Sequence, residues 1–277
     1  MTAAPVLEVS RGAAAFRVTR GEYDWHWEKY AAGRWEPQML DVFDRFIGPE
    51  TTVLDLGAWI GPATLYAARR AKRVVALEPD PVAFGMLAAN LAANPDIGNV
   101  ELVQACVATR DGTLRLGVDD RPGDAESSIL FGGEGAGWDV TAIRLDRVIA
   151  ERRIERPLFI KMDIEGYEFE LVPTILDILR EPGTILHLST HPHIFRDREG
   201  HRARTRLGRS IRKRAFGLVP AVRAWLRLAG ALDSWAWVYD EAGKPLLLGS
   251  RLFSAALGRG PTVVVSPDPL AWEPLRR

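Results

Sequence analysis

The stretch that decides the fold is PLFIKMDIEGYE, residues 157–168. Its centre is an apolar run, as in a buried parallel strand, which is nearly all apolar. The run ends in the acids Asp163 and Glu165, and the C-terminal ends of such strands are where open α/β sheets bind ligands. Gly166 then permits a tight turn, and a helix is predicted over residues 167–179. The stretch is therefore predicted to be a strand that delivers carboxylates to a site.

A second signal is the strand predicted over residues 51–56, which runs into a turn that contains Gly57 and Gly61. A helix is predicted over residues 62–70, and its N-terminus offers unpaired N–H groups beside the glycines. The turn has the pattern D-x-G-x-x-x-G rather than the G-x-G-x-x-G of dinucleotide sites, and the chain lacks a G-x-x-x-x-G-K-[ST] phosphate loop. The pattern therefore favours a nucleoside without a phosphate chain, such as S-adenosylmethionine (SAM).

An acid follows the next strand at the spacing expected for ribose recognition. The strand predicted over residues 73–77 ends in Glu78, which lies 23 residues after Asp55. An acid about 20 residues after such a turn commonly binds ribose hydroxyls. The alternative is a purely structural acid at the start of the next helix, where Asp80 and Pro81 predict the N-cap and first position.

Strands that alternate with helices predict an α/β fold with a parallel sheet covered on both faces. Further strands are predicted over residues 100–105, 157–163 and 184–190, and a closing antiparallel pair over residues 235–239 and 262–265. We expect a single domain with four parts: an N-terminal helical cap (1–50), a SAM-binding core (51–192), a basic helical insertion or lid (193–230) and closing strands (231–277).

The composition limits the protein class. The chain has 277 residues, of which 47% are hydrophobic, and this is ordinary for a globular protein. It shows neither the apolar core of a signal peptide nor an apolar run of roughly 18 residues that would predict a membrane span. The single Cys106 cannot form an internal disulfide and fits a reducing compartment. A cytoplasmic location is therefore predicted.

The net charge of zero hides a basic segment. Residues 195–227 contain eleven Lys or Arg residues against two acids, so the segment carries about nine positive charges. Its second half, residues 216–230, has the pattern of an amphipathic helix. The segment is interpreted as a lid over the acceptor pocket, a contact in a homodimer, a membrane-surface helix or a solvated Arg-rich insertion, and these alternatives stay open.

The motifs together resemble a known family. VLDLGAWIGPATL, VVALEPDP, CVATRDGTLRL, IRLDRVI and FIKMDIEGYE occur in the order and spacing of the FkbM-type methyltransferases. The resemblance covers roughly residues 35–190, with a weaker echo at 235–265. It implies a SAM-dependent O-methyltransferase with the Rossmann-like class I fold, in which a seven-stranded, mostly parallel sheet has an antiparallel last strand and helices on both faces. The family usually has Asn where Trp59 stands.

The resemblance also implies residue roles. Gly57 would lie closest to the cofactor, Glu78 would bind the ribose hydroxyls, and Glu36, just before the SAM fold, would close over the cofactor. Asp163 would lie beside the methionine part or the acceptor hydroxyl. The cofactor-binding residues implied in this way are Glu36, Asp55, Gly57, Ala58, Trp59, Gly61, Glu78, Pro79, Gln104, Ala105, Cys106 and Asp163.

The reaction would be attack of an acceptor oxygen on the methyl group, with S-adenosylhomocysteine as the product. An alcohol needs a base to remove its proton, and the predicted catalytic residues are Asp163, Glu165 and His191, the last at the end of the strand over residues 184–190. Together with His193 these side chains offer oxygen and imidazole ligands that suit a divalent cation. Their spacing is not a recognisable metal motif, so a metal is not favoured.

The predicted acceptor is a small molecule, namely a hydroxyl of a sugar or specialised metabolite. An Arg-rich lid would suit an anionic acceptor such as a nucleotide-linked sugar or glycan, because Arg matches phosphate and carboxylate groups. Three alternatives remain: an RNA-directed methyltransferase or RNA-binding protein that uses the basic segment, an NAD-dependent oxidoreductase, and a SAM-binding protein without catalysis. The zero net charge and the missing N/D-P-P-Y signature argue against nucleic acid, and the missing G-x-G-x-x-G argues against NAD.

Overall fold

The structure is a computed structural model that describes residues 5–12, 14–117, 129, 137–195, 217–252, 258 and 260–272. The basic stretch 196–216 and most of the Gly-rich stretch 117–138 lie outside these residues. Within the described part of the chain, no helix is long and apolar enough to cross a membrane.

The described residues form twelve strands. In chain order they are β1 (Val6–Arg11), β2 (Ala14–Thr19), β3 (Thr52–Leu56), β4 (Arg73–Leu77), β5 (Val100–Val103), β6 (Cys106–Ala108), β7 (Gly112–Gly117), β8 (Gly137–Arg144), β9 (Leu158–Met162), β10 (Thr184–Leu188), β11 (Trp237–Asp240) and β12 (Val263–Ser266).

The helices alternate with these strands over most of the chain. They are α1 (Asp24–Ala31), α2 (Pro37–Phe46), α3 (Pro62–Ala68), α4 (Pro81–Ala92), α5 (Leu145–Arg152), α6 (Glu168–Leu171), α7 (Leu176–Leu179) and α8 (Leu218–Leu232). The predicted cap of α4 is confirmed, since the Asp80 carboxylate accepts hydrogen bonds from Val82 N and Ala83 N.

The central sheet has seven strands in the order β11-β12-β10-β9-β3-β4-β5. Strands β5, β4, β3, β9 and β10 pair in parallel, whereas β12 runs antiparallel to both β10 and β11. This arrangement confirms the predicted fold class. The order reverses at β3 and β9, whose C-terminal ends therefore open a crevice for ligands.

Apolar layers cover both faces of this sheet. One face packs Leu54 and Ile160 against α5, α6, α8 and the small sheet β6-β8-β7. The other face packs Val53 and Phe159 against α1, α2, α3 and the β1–β2 hairpin. Such burial is the main source of the fold's stability.

Three segments differ from their predictions. The helix predicted over residues 167–179 is split into α6, a 3-10 turn at Val172–Thr174 and α7, because Pro173 lacks the N–H that a continuous helix requires. The strand predicted to end at residue 105 ends at Val103. The predicted N-terminal helical cap begins with the β1–β2 hairpin.

The predicted amphipathic helix in the basic segment is present as α8. Ala224, Trp225 and Leu228 on its apolar face belong to the core, and Arg227 on its polar face forms an exposed ion pair with Glu170. The described residues of α8 line neither of the two cavities at the crevice.

Candidate active site

The glycine turn after β3 requires glycine at its first position. Gly57 has a φ of 79°, and a Cβ added there would lie 1.9 Å from the Asp163 carbonyl oxygen. The ends of β3 and β9 therefore approach more closely than any side chain allows. Gly61, with a φ of 99°, forms the N-cap of α3, where a Cβ would lie 2.6 Å from Leu87 Cδ1.

Asp55 and Lys161 stabilise this turn from the ends of β3 and β9. The strand register places the two residues opposite each other on β3 and β9, and both are buried. Lys161 Nζ lies 3.2 Å from Asp55 Oδ1 and donates a hydrogen bond of 2.6 Å to the Gly57 carbonyl oxygen. Burial alone would lower the pKa of Lys161, but the charges of Asp55 and Asp163 outweigh it and raise that pKa. Asp55, predicted to bind the cofactor, instead contacts Lys161 and Thr64 and lines neither cavity.

The first cavity lies over the C-terminal ends of β3 and β4 and has about 580 Å³ of empty volume, part of it open to solvent. Glu78 is its buried acid, and its two carboxylate oxygens accept hydrogen bonds of 2.8 Å from Trp59 N and Asp80 N. Burial raises the pKa of Glu78 to about 7, although the two hydrogen bonds act to lower it. Of the predicted cofactor-binding residues, the cavity is lined by Gly57, Trp59, Glu78, Pro79, Ala105, Cys106 and Asp163.

Apolar side chains complete this cavity. Leu77, Leu116 and Ile164 contribute to its walls, and burial raises the pKa of the Cys106 thiol to about 12, so the thiol is a neutral wall group. Gln104, which the resemblance placed beside the adenine, is exposed and lies outside the lining. An apolar cleft with one buried carboxylate at a strand end fits a nucleoside, whose base is apolar on its faces and whose ribose donates hydroxyl hydrogen bonds.

Trp59 forms the wall between this cavity and the next. Its φ of 49° is in the left-handed region, which is strained for a residue with a large side chain. The ring packs edge-on against His26 and Tyr23, with centroid distances of 4.6 and 5.2 Å. Burial lowers the pKa of His26 to about 4, so this histidine is a neutral packing partner that fixes α1 against the turn.

The second cavity adjoins the first and has about 800 Å³ of empty volume, part of it open to solvent. Trp35 and Met39 give it apolar walls, and Glu36 lies beside them as the N-cap residue of α2 with a φ of 33°. The Glu36 side chain keeps access to solvent, although the protein atoms around it and the charge of Asp163 raise its pKa. The residues that line both cavities are Gly57, Trp59, Asp163 and Glu165.

The structure brings the three predicted catalytic residues together. His191 Nε2 lies 3.4 Å from Asp163 Oδ1 and 3.7 Å from Glu165 Oε1. Burial would lower the pKa of His191, but the charges of Glu168, Asp163 and Glu165 outweigh it and raise the pKa to about 10. One ligand atom from each of Asp163, Glu165 and His191 lies within 4.8 Å of the others, which is close enough to share a divalent cation.

Two functional residues were not predicted. Lys161 fixes the glycine turn, and the fully buried Glu168 accepts hydrogen bonds from His191 N and Gly166 N. Both are charged positions of the stretch KMDIEGYE (161–168), which has the pattern K-x-D-x-E-G-x-E, and Lys161 stands inside an apolar strand. The charge of Lys161 inside an apolar strand could have predicted a buried ion pair, since charged side chains are almost never buried unless they are paired.

Comparison with known proteins identifies the family. The sequence matches the profile of the methyltransferase FkbM domain over residues 55–230, which is more than half of the chain. The chain belongs to the FkbM methyltransferase family. This membership confirms the resemblance found in the motifs and decides against the oxidoreductase alternative.

The chain is only distantly similar to the following curated protein and solved structures. Methyltransferase sdnD of Sordaria araneosa is 29% identical over 152 residues, and the match covers 43% of this chain and 58% of that protein. An rRNA methylase from Streptococcus thermophilus has 15% identity and a TM-score of 0.41 over 82% of this chain and 92% of that chain. M. jannaschii TYW2 in complex with AdoMet has 14% identity and a TM-score of 0.36 over 80% of this chain and 75% of that chain. At these scores, likeness to the two solved structures carries no argument about substrate.

Proposed function

We propose that the protein is a SAM-dependent O-methyltransferase whose acceptor is a hydroxyl of a sugar or specialised metabolite. The observation that carries the proposal is the pair of adjoining cavities, which share Gly57, Trp59, Asp163 and Glu165. The first would suit the nucleoside of SAM, and the second would hold an acceptor beside carboxylates. A methyl group at the junction would face both. The choice of oxygen as the methylated atom rests on the family resemblance.

The residues at the first cavity fit SAM. The Glu78 carboxylate would accept hydrogen bonds from the ribose hydroxyls, and Ala105 and Cys106 would flank the adenine. Gly57 has no side chain, so the cofactor could approach the backbone of the turn closely at this position. When bound, SAM supplies a methyl group on a positively charged sulfur that becomes neutral on transfer.

The second cavity would hold the acceptor in line with that methyl group, and such positioning can supply much of the rate enhancement. The acceptor proton would pass to a carboxylate, Asp163 or Glu165, because the raised pKa of His191 leaves its imidazole protonated at neutral pH. Trp35 and Trp59 would shield the junction from water. The anionic acceptor stays a prediction, since it depends on residues 196–216, which lie outside the described part of the chain.

Calorimetric titration with S-adenosylhomocysteine tests the cofactor. We expect binding to the wild type and, in Glu78→Ala, a loss of at least about tenfold, since a hydrogen bond to a charged group contributes about 1.5–3 kcal/mol. Asp177→Asn is the matched control, because Asp177 is an exposed acid on α7, and its affinity should equal that of the wild type. Absence of binding to the wild type would contradict the cofactor assignment.

Transfer of a labelled methyl group from SAM tests the acceptor class. The panel holds neutral glycosides, nucleotide-linked sugars and a structured RNA, with and without the Asp163→Asn and Glu165→Gln substitutions. Label on a sugar hydroxyl that is lost in at least one of these variants supports the proposal. Label on RNA instead would favour the RNA-directed alternative.

A further inference from the structure

Glu168 is a buried carboxylate at the site that lines neither cavity. It is the last acid of the K-x-D-x-E-G-x-E pattern and has no solvent exposure. Its Oε2 accepts a hydrogen bond of 2.7 Å from Gly166 N. Its Oε1 accepts one of 2.6 Å from His191 N and lies 3.2 Å from His191 Nδ1. One carboxylate thus joins the turn after β9 to the chain that leaves β10.

We propose that Glu168 is a positioning residue for methyl transfer, which acts by holding His191 so that its Nε2 faces Asp163 and Glu165. With Nδ1 directed at Glu168, the opposite nitrogen of the ring necessarily points to the junction of the cavities. There it lies 3.4 Å from Asp163 Oδ1 and 3.7 Å from Glu165 Oε1. The inference rests on the proposed function, since it assigns to these two carboxylates a role in the transfer.

The backbone at Glu165 supports this role. Glu165 has a φ of 48°, a left-handed conformation that is strained for a residue other than glycine. Such a conformation persists only where the surroundings impose it, and it recurs at functional sites. The bond from Gly166 N to Glu168 fixes the next peptide of the same turn. Glu168 therefore constrains Glu165 from two directions, through the turn and through His191.

A carboxylate is required here because all its neighbours are donors. Both oxygens of an ionised Glu accept hydrogen bonds, whereas Gln offers one accepting oxygen and one donating NH₂ group. In Glu168→Gln, the NH₂ group would face either Gly166 N or His191 N. The variant keeps the size of the side chain but loses one of the two accepting oxygens. Any effect on activity can therefore be attributed to the position of His191 rather than to a change in the packing of α6.

The test is a double-substitution cycle of Glu168→Gln and His191→Asn. Glu170→Gln is the matched control, because Glu170 lies on the same short helix and its ion pair with Arg227 is exposed. Each variant is measured for S-adenosylhomocysteine affinity, thermal stability, and kcat and KM with the acceptor that the panel identifies. We expect unchanged cofactor affinity and a kcat roughly 10- to 100-fold lower in Glu168→Gln, the loss that small misplacement of reacting groups causes. In the His191→Asn background, Glu168→Gln should lower kcat by no more than about twofold.

An additive cycle would overturn the proposal, because it would mean that Glu168 acts independently of His191. A loss of stability and cofactor affinity without a selective loss of kcat would also overturn it, since Glu168 would then only stabilise the turn. Failure of the wild type to bind S-adenosylhomocysteine would instead count against the proposed function, so the two failures are distinguishable.

A spectroscopic readout needs no acceptor. In protein labelled with ¹⁵N-histidine, the hydrogen-bonded Nδ1–H of His191 should give a slowly exchanging downfield proton resonance, assigned by its absence in His191→Asn. The resonance should disappear in Glu168→Gln and remain in Glu170→Gln. Its persistence in Glu168→Gln would show that another group holds the ring and would overturn the proposal.

Discussion

Replacement of Glu78 by Gln should change how stability depends on pH. Burial raises the pKa of Glu78 from 4.5 to about 7, so the folded protein keeps this proton at pH values at which the unfolded chain has lost it. The stabilising contribution of the protonated group is complete below the unfolded pKa of 4.5 and is lost as the pH rises through about 7. The glutamine of the variant does not titrate, and every other titrating group is the same in both proteins.

The magnitude follows from the shift. Each pKa unit corresponds to about 1.36 kcal/mol, so between about pH 5.5 and about pH 8 the wild type should lose about 2 kcal/mol relative to Glu78→Gln. Urea unfolding of both proteins across this range measures the difference. Gln has a single accepting oxygen, so it can accept a hydrogen bond from only one of Trp59 N and Asp80 N. This loss does not depend on pH, and it cancels because the comparison uses only the change with pH. Parallel stability curves would refute the reasoning, since they would mean that Glu78 titrates alike in both states.

The same titration should affect cofactor binding in the opposite direction: a rise in pH lowers the stability of the fold but should strengthen binding. If the carboxylate is the form that accepts hydrogen bonds from the ribose, only the ionised fraction of Glu78 binds well. Affinity for S-adenosylhomocysteine should then be about tenfold weaker at about pH 6 than at about pH 8, with a much smaller change in Glu78→Gln. An unchanged wild-type affinity over this range would separate Glu78 from the ribose.

Three further predictions concern the turn and the junction. Gly57→Ala should abolish S-adenosylhomocysteine binding and lower the melting temperature, because its Cβ would lie 1.9 Å from the Asp163 carbonyl oxygen. Gly85→Ala is the control and should do neither, because a Cβ there would have nothing within 4 Å; calorimetry and thermal melts compare the two variants. Trp59→Asn relieves the strain of a positive φ, which Asn tolerates, so we expect S-adenosylhomocysteine binding to survive. The substitution also removes the contacts with α1, so protease sensitivity before residue 32 should rise. Dialysis against a chelator should leave methyl transfer unchanged, since protonated His191 already offsets the charge of Asp163 and Glu165; restoration of lost activity by magnesium would contradict this.

The sequence was sufficient for the fold class and for the approximate positions of the core strands, because each of these strands is a short apolar run that ends in a distinctive residue. Glu78, Asp163 and His191 each follow such a run, and a parallel sheet places these ends at one edge. Convergence of the three positions could therefore be predicted without knowledge of any contact. The clustering of Asp163, Glu165 and His191 follows from β9 and β10 being neighbours.

The role of Asp55 could not be predicted in the same way. An acid at the start of a glycine turn can face the ligand or the sheet, and the pattern is the same in both cases. Here the register of β3 and β9 places Asp55 opposite Lys161, so the carboxylate meets a buried cation more than a hundred positions away in the chain. Such pairing depends on long-range register, which local periodicity does not encode. The β1–β2 hairpin was also not predicted, although each of its strands has six residues, more than β3 or β4.

The negative charge at the junction of the cavities would favour a positively charged cofactor over its product. Asp163, Glu165 and Glu168 place three carboxylates around the His191 imidazole, and Glu36 lines the same cavity. Like charges this close disfavour one another. Lys161 offsets part of this negative charge, although its ammonium group also binds Asp55 and the Gly57 carbonyl. Protonated His191 balances one charge, and a cofactor with a positive sulfur and an ammonium group would balance others. Transfer makes the sulfur neutral and places the acceptor proton on one of the carboxylates, so the net charge of the site changes only when that proton leaves to solvent. The ionised carboxylates that favour SAM would then favour the release of its neutral-sulfur product.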